Sequence, residues 1–281
     1  MAIGKAELNR AASLDEARAR TQRLVDGIGA DPAAWLRFLS RYTTWNRCFG
    51  SSVASLAGRI GRSREAFLDV GEPLPYLDDR SILVASFFFD AARDEFDDRD
   101  TKYRDTHRCL AQALVKGFLE VALEDGGLTL GQARGLLDEP YWLKVLQARV
   151  FAGYGEGFPV DRPFLFRGMG YHLGSELLAD QEFTILDTTM RKHLPNVVEK
   201  LLGRKVKIAE QEHVAYTWLR VHSGAGNAAE ADHFAWAVKG VEHALRYTPK
   251  HEEAALQEQV LKGFADFARD QVEFFENVMR S

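Results

Sequence analysis

The chain has 281 residues, 46% of them hydrophobic and 27% charged, so it can bury a large core. It carries 41 acidic and 36 basic residues, and its formal charge of −5 argues against nucleic-acid binding, which needs a basic face. Two cysteines cannot build a disulfide framework. There is neither a run of ~20 apolar residues, as a membrane span requires, nor a secretory signal within residues 1–10. We therefore expect a cytoplasmic protein that binds neither membranes nor nucleic acids.

Helical spacing dominates the first half of the sequence. Residues 13–16 (Ser-Leu-Asp-Glu) have the form of a capping box, and residues 31–32 (Asp-Pro) predict an N-cap followed by proline at the first helical position. Two prolines within residues 71–79 predict a loop. A long helical stretch is then predicted over residues 80–122, and the acid-rich run 94–105 interrupts it.

The second half is also predicted to be helical, with one irregular segment at residues 151–163, which holds three glycines and two prolines. Thr129 is expected to cap the helix before that segment. Apolar spacing predicts the later helices over residues 165–187, 195–202, 208–221 and 227–247, and an amphipathic stripe from Leu256 to Val278. Composition does not change across residues 151–163, so we predict one all-helical domain over residues 1–281.

The sharpest local pattern is a late group of imidazole and carboxylate residues. Glu230 and His233 are three residues apart, so they share one face of a helix and can converge on one ion. Such a Glu-x-x-His pair on each of two helices, with carboxylates from other helices, is how helical bundles hold two iron or manganese ions. His222 lies eleven residues before His233, and this separation places both side chains on the same face if the helix is continuous. Alternatively, Asn227 caps a helix that starts there.

Two earlier segments can add ligands to that group. Dense carboxylates within residues 94–105 lead into His107, which begins a new apolar stripe. Glu176 lies among small and apolar neighbours, where an unpaired carboxylate would be costly. A bound cation or a neighbouring arginine would remove that cost.

The order of these three segments resembles the haem-oxygenase-like dimetal oxidases, whose members are often labelled iron-containing redox enzymes. The resemblance covers residues 86–247, the expected metal-binding core, and leaves residues 1–80 as an N-terminal helical extension. The family spaces the late histidine and carboxylate by four residues, whereas eight separate them here. The positions that match the family's ligands are Glu95, His107, Glu176, His222, Glu230 and His233.

The resemblance implies an all-α, haem-oxygenase-like bundle in which those six residues are both metal ligands and catalytic residues. It also implies two Fe(II) ions as the cofactor, with manganese as the alternative metal. The expected function is O2-dependent C–H oxidation of a small substrate, an aliphatic amino acid, by desaturation with ring closure in natural-product biosynthesis. The resemblance also leads us to expect an external electron donor and a homodimer.

Several alternatives remain open from the sequence alone. Asp97 or Asp100 can replace Glu95, and Asp180 or Glu182 can replace Glu176. The reaction can instead be N-oxygenation or C–C fragmentation on the same fold. Other possibilities are a metal-free thiaminase-like enzyme, a helical binding module, and a haem protein with one axial histidine.

A substrate carboxylate would need a fixed cation, and the planar fork of arginine binds two oxygens at once. Three arginines lie near the predicted ligands in the sequence and are candidates for this role: Arg104, Arg108 and Arg220.

Overall fold

The computed structural model describes residues 5–97, 105–223 and 228–280, without the side chains of Lys5, Asp180 and residues 228–232. This part of the chain confirms the predicted all-α fold class, with one short hairpin added. None of its helices is long and apolar enough to cross a membrane. Its helices are α1 (Lys5–Ala12), α2 (Leu14–Asp26), α3 (Pro32–Asn46), α4 (Phe49–Gly61), α5 (Ser81–Phe96), α6 (His107–Glu124), α7 (Leu130–Leu136), α8 (Tyr141–Gly153), α9 (Arg162–His193), α10 (Pro195–Gly203), α11 (Thr217–Val221), α12 (Ala228–Arg246) and α13 (Glu253–Arg280).

The two longest helices, α9 and α13, cross at very close range in the centre of the molecule. A Cβ atom on Gly170 would overlap the carbonyl oxygen of Val260, and a Cβ atom on Gly263 would overlap that of Arg167. The backbones can approach this closely only because both positions are glycine. Helix α12 packs on both α5 and α9, and α6 packs on α3, so these five helices surround a common interior.

The capping signals in the sequence have mixed outcomes. The carboxylate of Asp31 accepts the N–H of Ala33 at 2.8 Å, and Thr129 forms a full capping box with Gln132, so both of these predicted helix starts are confirmed. The predicted capping box at Ser13 is wrong. Ser13 has φ 45 between α1 and α2, which follow each other without a loop, and the side chain of Asn9 accepts the N–H of Leu14 instead.

The helix predicted over residues 208–221 is also wrong. Strands β1 (Lys205–Ile208) and β2 (Gln211–Val214) form an antiparallel hairpin there, and only Thr217–Val221 is helical. The reason is that Val206 and His213 pair across the hairpin and are buried on one face, which packs on α6, while their strand neighbours Lys205 and Glu212 face solvent. This alternation belongs to a half-buried strand rather than to a helix.

Candidate functional site

A cavity of about 220 Å³ lies between α3, α4, α5, α6, α9, α11, α12 and α13. Its lining includes five of the six side chains predicted as metal ligands, although more than 130 residues separate the first from the last. Glu230, the sixth, has a backbone position on α12, three residues before His233, but its side chain lies outside the described atoms. The five predicted residues in the lining are Glu95, His107, Glu176, His222 and His233.

Glu95 and His107 face each other across the junction between α5 and α6. Glu95 Oε2 lies 3.2 Å from His107 Nδ1. A Cβ atom on Gly50 would lie 2.9 Å from Cβ of Glu95, so glycine at this position of α4 leaves the room that the carboxylate occupies. The junction overlaps the predicted interruption at residues 94–105, because α5 ends at Phe96 and α6 begins at His107.

His222 follows directly after α11 rather than lying on the helix that carries His233. Its ring packs edge-on against that of His107, with 4.5 Å between ring centroids. His222 Nδ1 lies 2.7 Å from the carbonyl oxygen of Trp218, so we assign the ring proton to Nδ1. In a neutral ring this leaves the lone pair on Nε2, as in imidazoles that bind metals. His222 thus reaches the cavity without a continuous helix.

Glu176 is placed between two imidazoles. Its Oε1 lies 3.3 Å from His172 Nδ1, and its Oε2 lies 3.5 Å from His233 Nδ1. Burial raises the pKa of Glu176, but attraction to His172 and the hydrogen bond with His233 outweigh burial and bring that pKa below its ordinary value. The carboxylate is therefore anionic at neutral pH, as a metal ligand must be.

Sequence reasoning did not select His172, which the structure places behind Glu176. The ring is fully buried, and burial lowers the pKa of His172 although the nearby Glu176 carboxylate raises it. Tyr154 Oη lies 3.3 Å from its Nδ1 and 2.8 Å from Ser175 Oγ. The sequence signal that could have identified His172 is its spacing from Glu176, since residues four apart on one helix are neighbours. His172 therefore contacts the Glu176 carboxylate from the side away from His233 Nδ1, through the other carboxylate oxygen.

Asp94 was also missed, although it begins the predicted acid-rich run. It is 2% exposed, and its Oδ2 lies 2.8 Å from His233 Nε2. The two consecutive acids of α5 therefore serve different partners, with Asp94 facing α12 and Glu95 facing α6. A carboxylate on the second nitrogen of a metal-binding imidazole is a common way to fix the ring orientation.

The alternative carboxylates are placed differently. Asp97 follows the last residue of α5 and is not part of the cavity lining in the described chain. Asp100 and the side chain of Asp180 lie outside the described part. Glu182 does line the cavity, but Tyr42 Oη donates a hydrogen bond to it at 2.7 Å, and the amide of Gln271 donates another.

The donor set fits first-row metal ions in type and in spacing. Imidazole and carboxylate together suit iron or manganese. Two ligands with bonds of about 2.0–2.2 Å and an angle of about 90–110° at one ion lie about 2.8–3.6 Å apart. The Glu95–His107 and Glu176–His233 separations of 3.2 and 3.5 Å fall within that interval. In the described part of the chain, these donors meet in pairs, and no three His, Cys, Asp or Glu residues form a ready-made metal site.

The sequence matches no protein-family model and no curated protein. Among solved structures, a TenA homologue from Pseudomonas syringae pv. tomato is similar, with 11% sequence identity and a TM-score of 0.55. The match covers 98% of this chain and 92% of that protein. At this identity the likeness concerns the fold alone. The chain has the helical, haem-oxygenase-like fold of this TenA homologue.

Proposed function

We propose that the protein is a non-haem di-iron oxidase that uses O2 to oxidise a C–H bond of a small substrate, an aliphatic amino acid. The observation that supports this most directly is the convergence of Glu95, His107, Glu176, His222 and His233 on one cavity. A haem-oxygenase-like fold is consistent with the family resemblance of the same residues. Desaturation with ring closure is the reaction that we favour, with N-oxygenation and C–C fragmentation as alternatives.

The contacts between these side chains suggest how the proposed ligands would be divided between two ions. Glu95, His107 and His222 would hold one ion, because the first two lie 3.2 Å apart and the two rings are in contact. Glu176 and His233 would hold the other, and Glu230 is the sixth proposed ligand. When bound, two ferrous ions supply the electrons that activate O2 for C–H oxidation.

The remaining residues around the cavity would position the ligands and exclude water. Asp94 fixes the His233 ring, as His172 fixes the Glu176 carboxylate. Phe183 and Trp218 contribute apolar wall. An engineered cavity of about 150 Å³ holds benzene, so about 220 Å³ accepts roughly nine non-hydrogen atoms, with the two proposed ions counted among them.

Anaerobic titration with Fe(II) tests the metal site directly, with bound iron measured by elemental analysis. We expect close to two equivalents per chain in the wild type and less in His233→Ala, because that variant removes a ligand that contacts both Glu176 and Asp94. The matched control is His251→Ala, which removes an exposed histidine. A wild-type protein that retains no iron would end the di-iron proposal.

Glu230→Ala tests the predicted carboxylate whose side chain is outside the described atoms. O2 consumption by the iron-loaded protein is followed across a panel of aliphatic amino acids, and circular dichroism monitors the helical fold. We expect turnover to be abolished while the helical signal persists. Turnover equal to that of the wild type would remove Glu230 from the mechanism.

A metal-free, thiaminase-like enzyme is the second candidate, because the fold of the TenA homologue fits it equally well. That chemistry would need a nucleophile in the cavity. Neither cysteine belongs to the cavity lining in the described chain, and burial raises the pKa of the Cys48 thiol to about 11. The iron titration separates the two candidates, since a thiaminase-like enzyme would turn over its substrate without metal.

A further inference from the structure

Arg108 is a cation in the cavity wall that has no anionic partner among the residues that the structure describes. It follows His107 at the start of α6, lines the cavity and is half-buried. One guanidinium nitrogen donates a hydrogen bond to the carbonyl oxygen of Thr43 at 2.9 Å. No carboxylate among the described residues lies within 4.0 Å of this guanidinium, whose five N–H groups can serve several acceptors.

The surroundings make this charge costly in the ligand-free protein. Burial lowers the pKa of Arg108, and repulsion from Arg47 lowers it further, although an arginine stays protonated. Arg47 also lines the cavity, but Glu139 accepts a hydrogen bond from it at 3.1 Å. This end of the cavity therefore has two guanidinium groups and one described carboxylate in contact with them. A half-buried charge that meets no counter-ion in the described part of the chain would be stabilised by an anionic ligand.

The other two arginines that the sequence suggested for this role differ from Arg108. Arg220 is exposed and is absent from the described lining of the cavity. Arg104 lies outside the described part of the chain. The choice among the three could not be made from sequence, because it depends on which side of α6 and α11 faces the interior.

We propose that Arg108 binds the carboxylate of the substrate, and that the cavity therefore selects a carboxylic acid with a short apolar chain. The guanidinium fork binds both carboxylate oxygens, and the chain lies against the apolar wall that includes Phe183 and Trp218. Because Arg108 is adjacent to His107, the bound acid would lie next to the proposed metal ligands. The identification of this acid as a substrate rests on the proposed oxidase function, whereas the carboxylate site itself does not.

Calorimetric titration of the full chain, stripped of metal by a chelator, tests the site without coordination of the ligand to iron. The probes are hexanoate, its uncharged match hexanamide, and hexyl phosphate. We expect hexanoate to bind the wild type at least about tenfold more tightly than hexanamide, since a charge-assisted bidentate pair is lost in the amide. Tighter binding of hexyl phosphate than of hexanoate would overturn the assignment to a carboxylate.

Arg108→Gln should weaken hexanoate binding by about tenfold or more and leave hexanamide binding unchanged. Arg108→Lys keeps the charge but loses the planar fork of the guanidinium. Its affinity for hexanoate should therefore lie between those of the wild type and Arg108→Gln. Arg220→Gln is the matched control and should bind hexanoate as the wild type does. Circular dichroism establishes that each variant is folded. The inference is overturned if Arg108→Gln binds hexanoate like the wild type, or if the wild type does not prefer hexanoate to hexanamide.

Iron titration of Arg108→Gln keeps this inference separate from the oxidase proposal. The variant should bind as much Fe(II) as the wild type, because Arg108 is not a proposed ligand. Hexanoate binding without iron binding would refute the oxidase and leave the carboxylate site standing. Iron binding without a preference for hexanoate would refute the carboxylate site alone.

Discussion

Glu182 should make the stability of the protein fall as the pH rises through the weakly acidic range. Its side chain is 3% exposed, and burial dominates its environment. Hydrogen bonds from Gln271 and Tyr42 only partly compensate, so the pKa of Glu182 rises from its ordinary value of 4.5 to about 7. The variant that removes this ionisation while keeping a hydrogen-bond acceptor is Glu182→Gln.

The size and the sign of the effect follow from that pKa. Between pH 4.5 and 7 the unfolded chain has lost the Glu182 proton and the folded chain still holds it, so the free energy of unfolding decreases as the pH rises. A displacement from 4.5 to about 7 corresponds to about 3 kcal/mol, which is fully present below pH 4.5 and lost above pH 7. Glu182→Gln has no such ionisation and should not show this loss.

Urea unfolding at several pH values between 4.5 and 8 measures the difference between the wild type and Glu182→Gln. We expect the stability of the variant relative to the wild type to increase by about 3 kcal/mol over this range and to level off above pH 7. The control is Glu199→Gln, which changes an exposed glutamate on α10. Its free energy of unfolding should vary with pH in parallel with that of the wild type. Parallel curves for Glu182→Gln would refute the reasoning.

Two other predictions concern packing and thiol reactivity. Gly170→Ala should destabilise the protein by about 1–3 kcal/mol or more, because the added methyl overlaps the backbone of α13. The exposed Gly58→Ala in α4 should instead stabilise it by up to about 1 kcal/mol, and equal unfolding midpoints in urea would contradict both expectations. With a pKa of about 11, Cys48 has about one thiolate in a thousand at pH 8. Mass spectrometry after iodoacetamide treatment should find the half-buried Cys109 labelled before Cys48, and the reverse order would be inconsistent with the burial of Cys48.

Local sequence signals predicted most of the helices because their physical basis lies within a few residues. Asp31 and Thr129 satisfy N–H groups two and three residues further along, so each marks its own helix start. The same reasoning failed at Ser13, where the side chain of Asn9 provides the acceptor. It also failed at the hairpin around Ala209, whose φ of 53 allows the turn and whose strands are stabilised by burial against α6.

The sequence by itself determined which chemical groups are available and in what order: an acid pair, a histidine, a glutamate in a middle helix and a late pair of histidines. The tertiary structure decided which of them meet. Asp94 and Glu95 are adjacent in sequence but face different helices, and His172 supports Glu176 rather than lining the cavity. These choices depend on the angles at which α5, α6, α9 and α12 pack, and the contacts that set those angles join residues far apart in the chain.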